Sequence, residues 1–133
     1  RLSGYGIHAN GVMPVLYKQL APLGYTPELQ NFNEMNIVLS IKTNHPVLFW
    51  YVLSDDVNKK VTQLNWKTWD GENRTGYVGE HTGVIVGVEL TKNGTLSKVG
   101  YYEGRSETMV WEDWNTLKTK AKLFDSIIVA VQK

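Results

Sequence analysis

Residues 76–89, GYVGEHTGVIVGVE, constrain the fold of this chain most strongly, because a long β-forming run follows a histidine. The centre of this segment, residues 82–88, consists of β-branched and small residues at positions that would face both sides of a sheet. The run therefore predicts a central strand that is covered on both faces. His81 would lie at the start of that strand, supported by the core and open to a cleft, which is a position suited to a general base.

Two glycines within this run, Gly83 and Gly87, are four residues apart and are expected to point to the same face of the sheet. Glycine weakens the interior of a strand unless another group packs closely against it. We therefore expect a helix or a ligand to approach this face of the strand.

Composition indicates an ordinary globular domain and excludes several classes of function. With 133 residues, of which 42% are hydrophobic, the chain is predicted to form one domain, 1–133, around a single core. The net charge of +1 implies no nucleic-acid partner, and no apolar run reaches the length of about 18 residues that a membrane helix needs. The absence of cysteine excludes a disulfide and a thiol nucleophile within these residues. Because the chain begins with Arg1, we expect it to be a piece of a longer protein.

The hydrophobic periodicity of the remaining chain predicts an α+β fold. Asn93-Gly94 predicts a hairpin with a two-residue turn, and Asn33 is expected to cap a helix in which Met35, Val38 and Leu39 follow helical spacing. Helices are predicted over residues 12–23, 33–43 and 110–120, and extended segments or strands over residues 24–29, 47–53, 61–66, 96–102 and 126–131.

The predicted hairpin brings Glu103 to the same end of the sheet as His81. Paired positions should sum to about 187, so His81 would face a position near 106, and a small register shift or bulge would bring it near Glu103. A carboxylate beside an imidazole fixes its tautomer and stabilises its charged form. His8 and His45 are too distant in sequence from His81 to form a metal-binding motif, so we expect no metal and no cofactor.

Tryptophans provide candidate substrate-contact residues. Trp66 and Trp69 lie in a long predicted excursion, where they could line a groove for a peptide or an extended polymer, or could cover one edge of the core. Trp50, in the predicted strand over residues 47–53, is the third candidate.

Several short motifs occur in an order that points to a family. They are found at residues 11–25, 44–52 (NHPVLFWYV), 79–88 (GEHTGVIVGV), 101–103 (YYE), 110–114 (VWEDW) and 127–131 (IIVAV). Together they resemble the C39-like, papain-like cysteine peptidases of bacteria over most of the chain. The resemblance implies a papain-like α+β fold with an antiparallel sheet core and flanking helices, of which this chain would be the C-terminal part.

The same resemblance implies roles for two residues and names the missing parts of the site. His81 matches the catalytic histidine, the general base toward a thiol, and Glu103 stands where the family has an aspartate. The cysteine-bearing helix, together with the glutamine that stabilises the oxyanion, would lie upstream, on an N-terminal segment or another chain. The expected partner is a peptide or protein substrate, and the expected location is extracytoplasmic.

Three interpretations of this resemblance stay open from the sequence. The chain could be the C-terminal piece of a cysteine peptidase whose nucleophile is elsewhere. It could be a catalytically inactive relative that binds peptide or cell-wall polymer through an aromatic cleft. It could also be an α+β interaction module that shares only the fold.

Overall fold

The computed structural model of the protein describes residues 9–52, 63–77, 80–103 and 107–133. Within these ranges the chain forms three α-helices, a short 3-10 turn at Ala21–Leu23 and eight strands. The helices are α1 (Ala9–Leu20), α2 (Glu34–Lys42) and α3 (Trp114–Ala121). The strands are β1 (Tyr25–Asn31), β2 (Val47–Val52), β3 (Gln63–Lys67), β4 (Asn73–Tyr77), β5 (Glu80–Leu90), β6 (Leu96–Glu103), β7 (Met109–Asp113) and β8 (Ser126–Gln132).

Six of these strands form one antiparallel sheet in the order β1-β8-β2-β5-β6-β7, and β3 and β4 form a separate hairpin. Helix α2 packs against β5 and β2, α3 packs against β2, β6 and β7, and α1 packs against β1 and β8. The core lies between α2, α3 and the sheet, where Ile37 and Leu117 meet Phe49, Ile85 and Tyr101. The predicted α+β class with an antiparallel sheet and flanking helices is confirmed.

Helix α2 forms where its sequence predicts, but a different side of it faces the core. The side chain of Asn33 accepts a hydrogen bond from the backbone N–H of Asn36 at 2.8 Å, as expected for an N-cap. Of the three apolar residues at helical spacing, Val38 packs against the core but Met35 and Leu39 are 72% and 61% exposed, whereas Ile37 is fully buried. The helix carries apolar residues on two sides, and helical spacing alone does not indicate which side meets the sheet.

The predicted helix over residues 110–120 is wrong in its first four residues. Residues Met109–Asp113 form β7 at the edge of the sheet, and α3 begins only at Trp114. Trp111 and Trp114 have helical spacing, but Val110 and Trp111 also favour a strand, and the edge of β6 supplies backbone hydrogen-bond partners for one. Pairing with β6 therefore overrides the helical pattern.

Strand β5 contains a bulge that changes the predicted direction of its glycines. The register with β6 shifts between Ile85 and Gly87, so Gly83 faces the core while Gly87 faces the opposite side of the sheet. The prediction that both glycines share a face is therefore wrong. The prediction that both faces of this strand are covered is wrong as well, since Val86 is 39% exposed.

The hairpin predicted at Asn93-Gly94 is present, but its turn is longer than two residues. The backbone N–H of Thr91 donates to the carbonyl of Thr95 at 2.8 Å, and that of Gly94 donates to the carbonyl of Thr91 at 2.9 Å. Of the two predicted turn residues, only Gly94 has a positive φ, 82°. This geometry is a three-residue loop that ends in a left-handed glycine.

Candidate functional site

His81 lies near the start of β5 on the core face of the sheet. It pairs with Tyr51 of β2, and its imidazole meets the Tyr51 ring edge to face, with ring centroids 5.5 Å apart. The Nε2 atom of His81 is buried. The ring is therefore held against Tyr51, with one of its two nitrogens inside the protein.

Glu103, the last residue of β6, shares this face of the sheet with His81. It pairs with Gly83, two residues along β5 from His81, so the two side chains are diagonal neighbours. Diagonal neighbours in an antiparallel pair have α-carbons about 7–8 Å apart, within reach of long side chains. Paired positions sum to 187 at Gly87 and Gly100 but to 186 at Gly83 and Glu103, because of the bulge at Val86. This shift of one residue brings Glu103 closer to His81, as the hairpin prediction required.

Three aromatic rings form the floor beneath His81. Tyr51 stacks on Phe49 at a centroid distance of 5.0 Å, and Tyr101 meets Tyr51 edge to face at 5.7 Å. Each of these three side chains is at most 1% exposed. Because these three rings are closely packed against one another, they have little freedom to move beneath the imidazole.

A charged pair extends this floor on the side of β7 and α3. The ammonium of Lys120 donates to Glu112 Oε2 at 2.9 Å, and the two side chains are only 11% and 17% exposed. Burial, and then the negative charge of Glu112, raises the pKa of the Tyr101 hydroxyl well above its ordinary value. The phenol is therefore neutral at neutral pH and acts as a hydrogen-bonding group of the floor.

Sequence analysis missed Glu112 and Lys120. The helix predicted over residues 110–120 gives the side chain of Glu112 no defined position relative to His81. Its pairing with Val99 places it on the core face of β7. The signal that could have found it is the alternation of Val110, Trp111 and Glu112, which is the pattern of a strand with one buried face.

The three predicted substrate-contact tryptophans are not brought together with His81. Trp50 is 3% exposed and pairs with Thr82, so it points to the side of the sheet opposite His81. Trp66 is half-buried on β3, and Trp69 is 99% exposed at the β3–β4 turn.

Within residues 9–52, 63–77, 80–103 and 107–133, no group of three or more His, Asp and Glu side chains is arranged to hold a metal ion. No helix of the described chain has the length and apolar character that crossing a membrane requires.

The fold of this chain is similar to that of a solved structure. A crystal structure of a Bacillus anthracis protein, provisionally described as a C39-like peptidase, superposes with a TM-score of 0.72 at 17% sequence identity. The alignment covers 98% of this chain and 62% of the Bacillus protein, so this chain spans less than two thirds of that protein's length. The sequence matches no protein-family model and no curated protein. The chain therefore has a C39-like, papain-like fold.

Proposed function

We propose that the chain is the sheet-bearing part of a C39-like cysteine peptidase, with His81 as the general base. The observation that carries the proposal is the position of His81 in a C39-like fold, at the start of a central strand and on one face with Glu103. The chain contains no cysteine, so the thiol would come from outside these 133 residues. We also propose an extracytoplasmic location.

In this mechanism, the imidazole of His81 takes the proton of the thiol, and the thiolate attacks the carbonyl carbon of the scissile peptide bond. The imidazolium then returns the proton to the leaving amine, and water hydrolyses the resulting thioester. The contact with the buried Tyr51 ring supports this role, because it holds the imidazole in one position. Glu103 stabilises the imidazolium by its charge.

The proposed role of Glu103 also explains why a glutamate could replace the aspartate of the resembled family. Glu103 and His81 are diagonal rather than directly opposite, which adds distance between the two side chains. One additional methylene group lengthens the reach of the carboxylate. We therefore expect Glu103→Asp to be less active than the wild type, although aspartate is the residue of the family.

The first test is the intact mass of the purified protein under denaturing conditions. A second, cysteine-containing polypeptide beside the 15.1 kDa chain would support a two-chain peptidase. In such a preparation, His81→Ala should lower kcat for thiol-dependent peptide hydrolysis by about 10²- to 10⁴-fold. His45→Ala is the matched control, because His45 is bound to the hydroxyl of Thr43 and lies outside the proposed site. Equal activity of both variants would contradict the role of His81.

A single species of 15.1 kDa without thiol-dependent activity would favour the second candidate, a peptidase-like module that only binds its ligand. The observation in favour of this candidate is Trp69, whose side chain is 99% exposed. Trp66→Ala and Trp69→Ala should each weaken binding of a peptide or cell-wall polymer by more than about 1 kcal/mol if they are anchors. Trp50 is buried, and we do not include it in this test.

A further inference from the structure

A row of two glycines and one tryptophan crosses the outer face of the sheet, opposite the face that carries His81. Gly87 pairs with Gly100, and Gly100 pairs with Trp111 of the edge strand β7. A methyl group added to Gly100 would lie 3.0, 3.0 and 3.1 Å from three carbons of the Trp111 ring, and one added to Gly87 would lie 2.9 Å from it. Three nearly equal distances indicate that the indole lies with its face on the glycines, so its other face is directed outward.

The cross-strand pairs on either side of Trp111 place an aromatic ring on one side of the indole and charged side chains on the other. On one side, Tyr102 pairs with Met109, and its ring is 41% exposed. On the other side, Lys98 pairs with both Glu89 and Asp113, and all three charged side chains are exposed. The outer face of β5, β6 and β7 is thus a flat aromatic surface bordered by hydrogen-bonding groups.

Area and charge restrict what can bind this surface. Val86, Tyr102 and Trp111, at 39%, 41% and 48% exposure, offer on the order of 300 Å² of apolar surface. A stable protein interface needs about 800 Å² per partner, which is much more. The charged row has two carboxylates and one ammonium, so it does not favour an anionic membrane.

We infer that the outer face of β5, β6 and β7 binds a neutral polysaccharide, with a pyranose ring stacked on Trp111. The axial C–H groups of a sugar ring carry partial positive charge and meet the negative face of an indole. Glu89 and Asp113 accept hydrogen bonds from sugar hydroxyls, and Lys98 donates to ring or hydroxyl oxygens. This site is independent of the proposed peptidase site, because it lies on the opposite face of the sheet.

The test is a titration of the whole chain with cellohexaose and with chitohexaose, followed by calorimetry and by the NMR signals of the indole N–H groups. We expect saturable binding of at least one oligosaccharide and a shift of the Trp111 signal. Trp111→Leu, which keeps the glycines covered by an apolar side chain, should weaken binding by about tenfold or more. Tyr17→Ala, which removes a half-exposed aromatic ring on α1, should leave the affinity unchanged.

A second variant keeps the test valid if Trp111→Leu is unstable. Glu89→Ala combined with Asp113→Ala changes only exposed side chains, so the fold should be retained, and binding should weaken by about threefold or more. His81→Ala should bind normally, which separates this site from the proposed peptidase function. No saturable binding of either oligosaccharide, loss of binding only in Trp69→Ala, or self-association that Trp111→Leu abolishes would overturn the inference.

Discussion

On each face of the central sheet, an aromatic ring packs on a glycine of β5, but only one of the two rings is buried. Strand β5 carries one glycine on each face, and each glycine lies beneath an aromatic ring. Gly83 lies beneath Phe49, which is fully buried in the core, whereas Gly87 lies beneath Trp111, which is 48% exposed. Glycine allows the ring to approach the backbone closely in both places.

The difference between the faces is what surrounds each ring. Phe49 lies in the buried core, with the rings of Tyr51 and Tyr101 at centroid distances of 5.0 and 5.3 Å. Around Trp111, the charged neighbours are exposed, and one side of the ring remains open to solvent. A ring packed on a glycine therefore contributes to stability where it is buried and is available for recognition where it is exposed.

The largest expected effect comes from adding a methyl group beneath each ring. In Gly83→Ala the new methyl would lie 2.8 Å from Phe49 and 3.1 Å from the Tyr102 carbonyl oxygen, and neither group has space to move. We expect the free energy of unfolding, measured in urea, to fall by about 1–3 kcal/mol. Gly87→Ala is the matched variant and should cost less than about 1 kcal/mol, because the half-exposed Trp111 can shift. Equal costs would show that the two rings are equally confined.

A smaller effect is expected from the phenol of the core face at high pH. The raised pKa of Tyr101 means that above pH 10 the unfolded chain loses this proton before the folded chain does. The free energy of unfolding of the wild type should therefore fall, relative to Tyr101→Phe, by up to about 1.4 kcal/mol per pH unit above that value. Urea unfolding of both proteins between pH 8 and pH 11 measures the difference. Parallel curves across this range would contradict the buried, protonated state of Tyr101.

The smallest effects are expected at the exposed indoles. Trp111→Leu keeps an apolar group over Gly87 and Gly100, so the free energy of unfolding should fall by about 1 kcal/mol or less. Trp69→Ala should change it by less than about 0.5 kcal/mol, because the side chain is 99% exposed. Thermal unfolding of both variants provides the comparison. A large loss in Trp69→Ala would assign the hairpin tryptophan a structural role and weaken its assignment as a binding residue.

Local sequence determined several elements because their backbone geometry depends on few residues. The hairpin at Asn93-Gly94 was predicted and the β3–β4 hairpin was not, although both turns have the pattern Thr-x-Asp/Asn-Gly and Gly71 and Gly94 have similar left-handed φ values, 85° and 82°. The second residue differs between the two turns, Trp69 in one and Lys92 in the other. The N-cap at Asn33 and the apolar strands β2 and β8 were also predicted.

The candidate site was partly predicted, and the reason lies in the register. Alternation along β5 and β6 identified the end of the sheet where His81 and Glu103 lie, and the structure places both residues on one face. Their catalytic roles remain predictions. The positions of Glu112 and Lys120 depend on contacts between β7, β6 and α3, which no local pattern contains.

The sequence by itself therefore determined the strands with one clear periodicity, the hairpin at Asn93-Gly94 and the position of His81 at the start of a central strand. Tertiary structure decided the cases in which two patterns fitted equally well. Residues 110–113 became a strand because β6 offered a free edge, and α2 turned Ile37 rather than Met35 inward because the sheet meets only one side of it. The bulge at Val86, which separates the two glycines onto opposite faces, arises from pairing with β6 and has no signal in the local sequence.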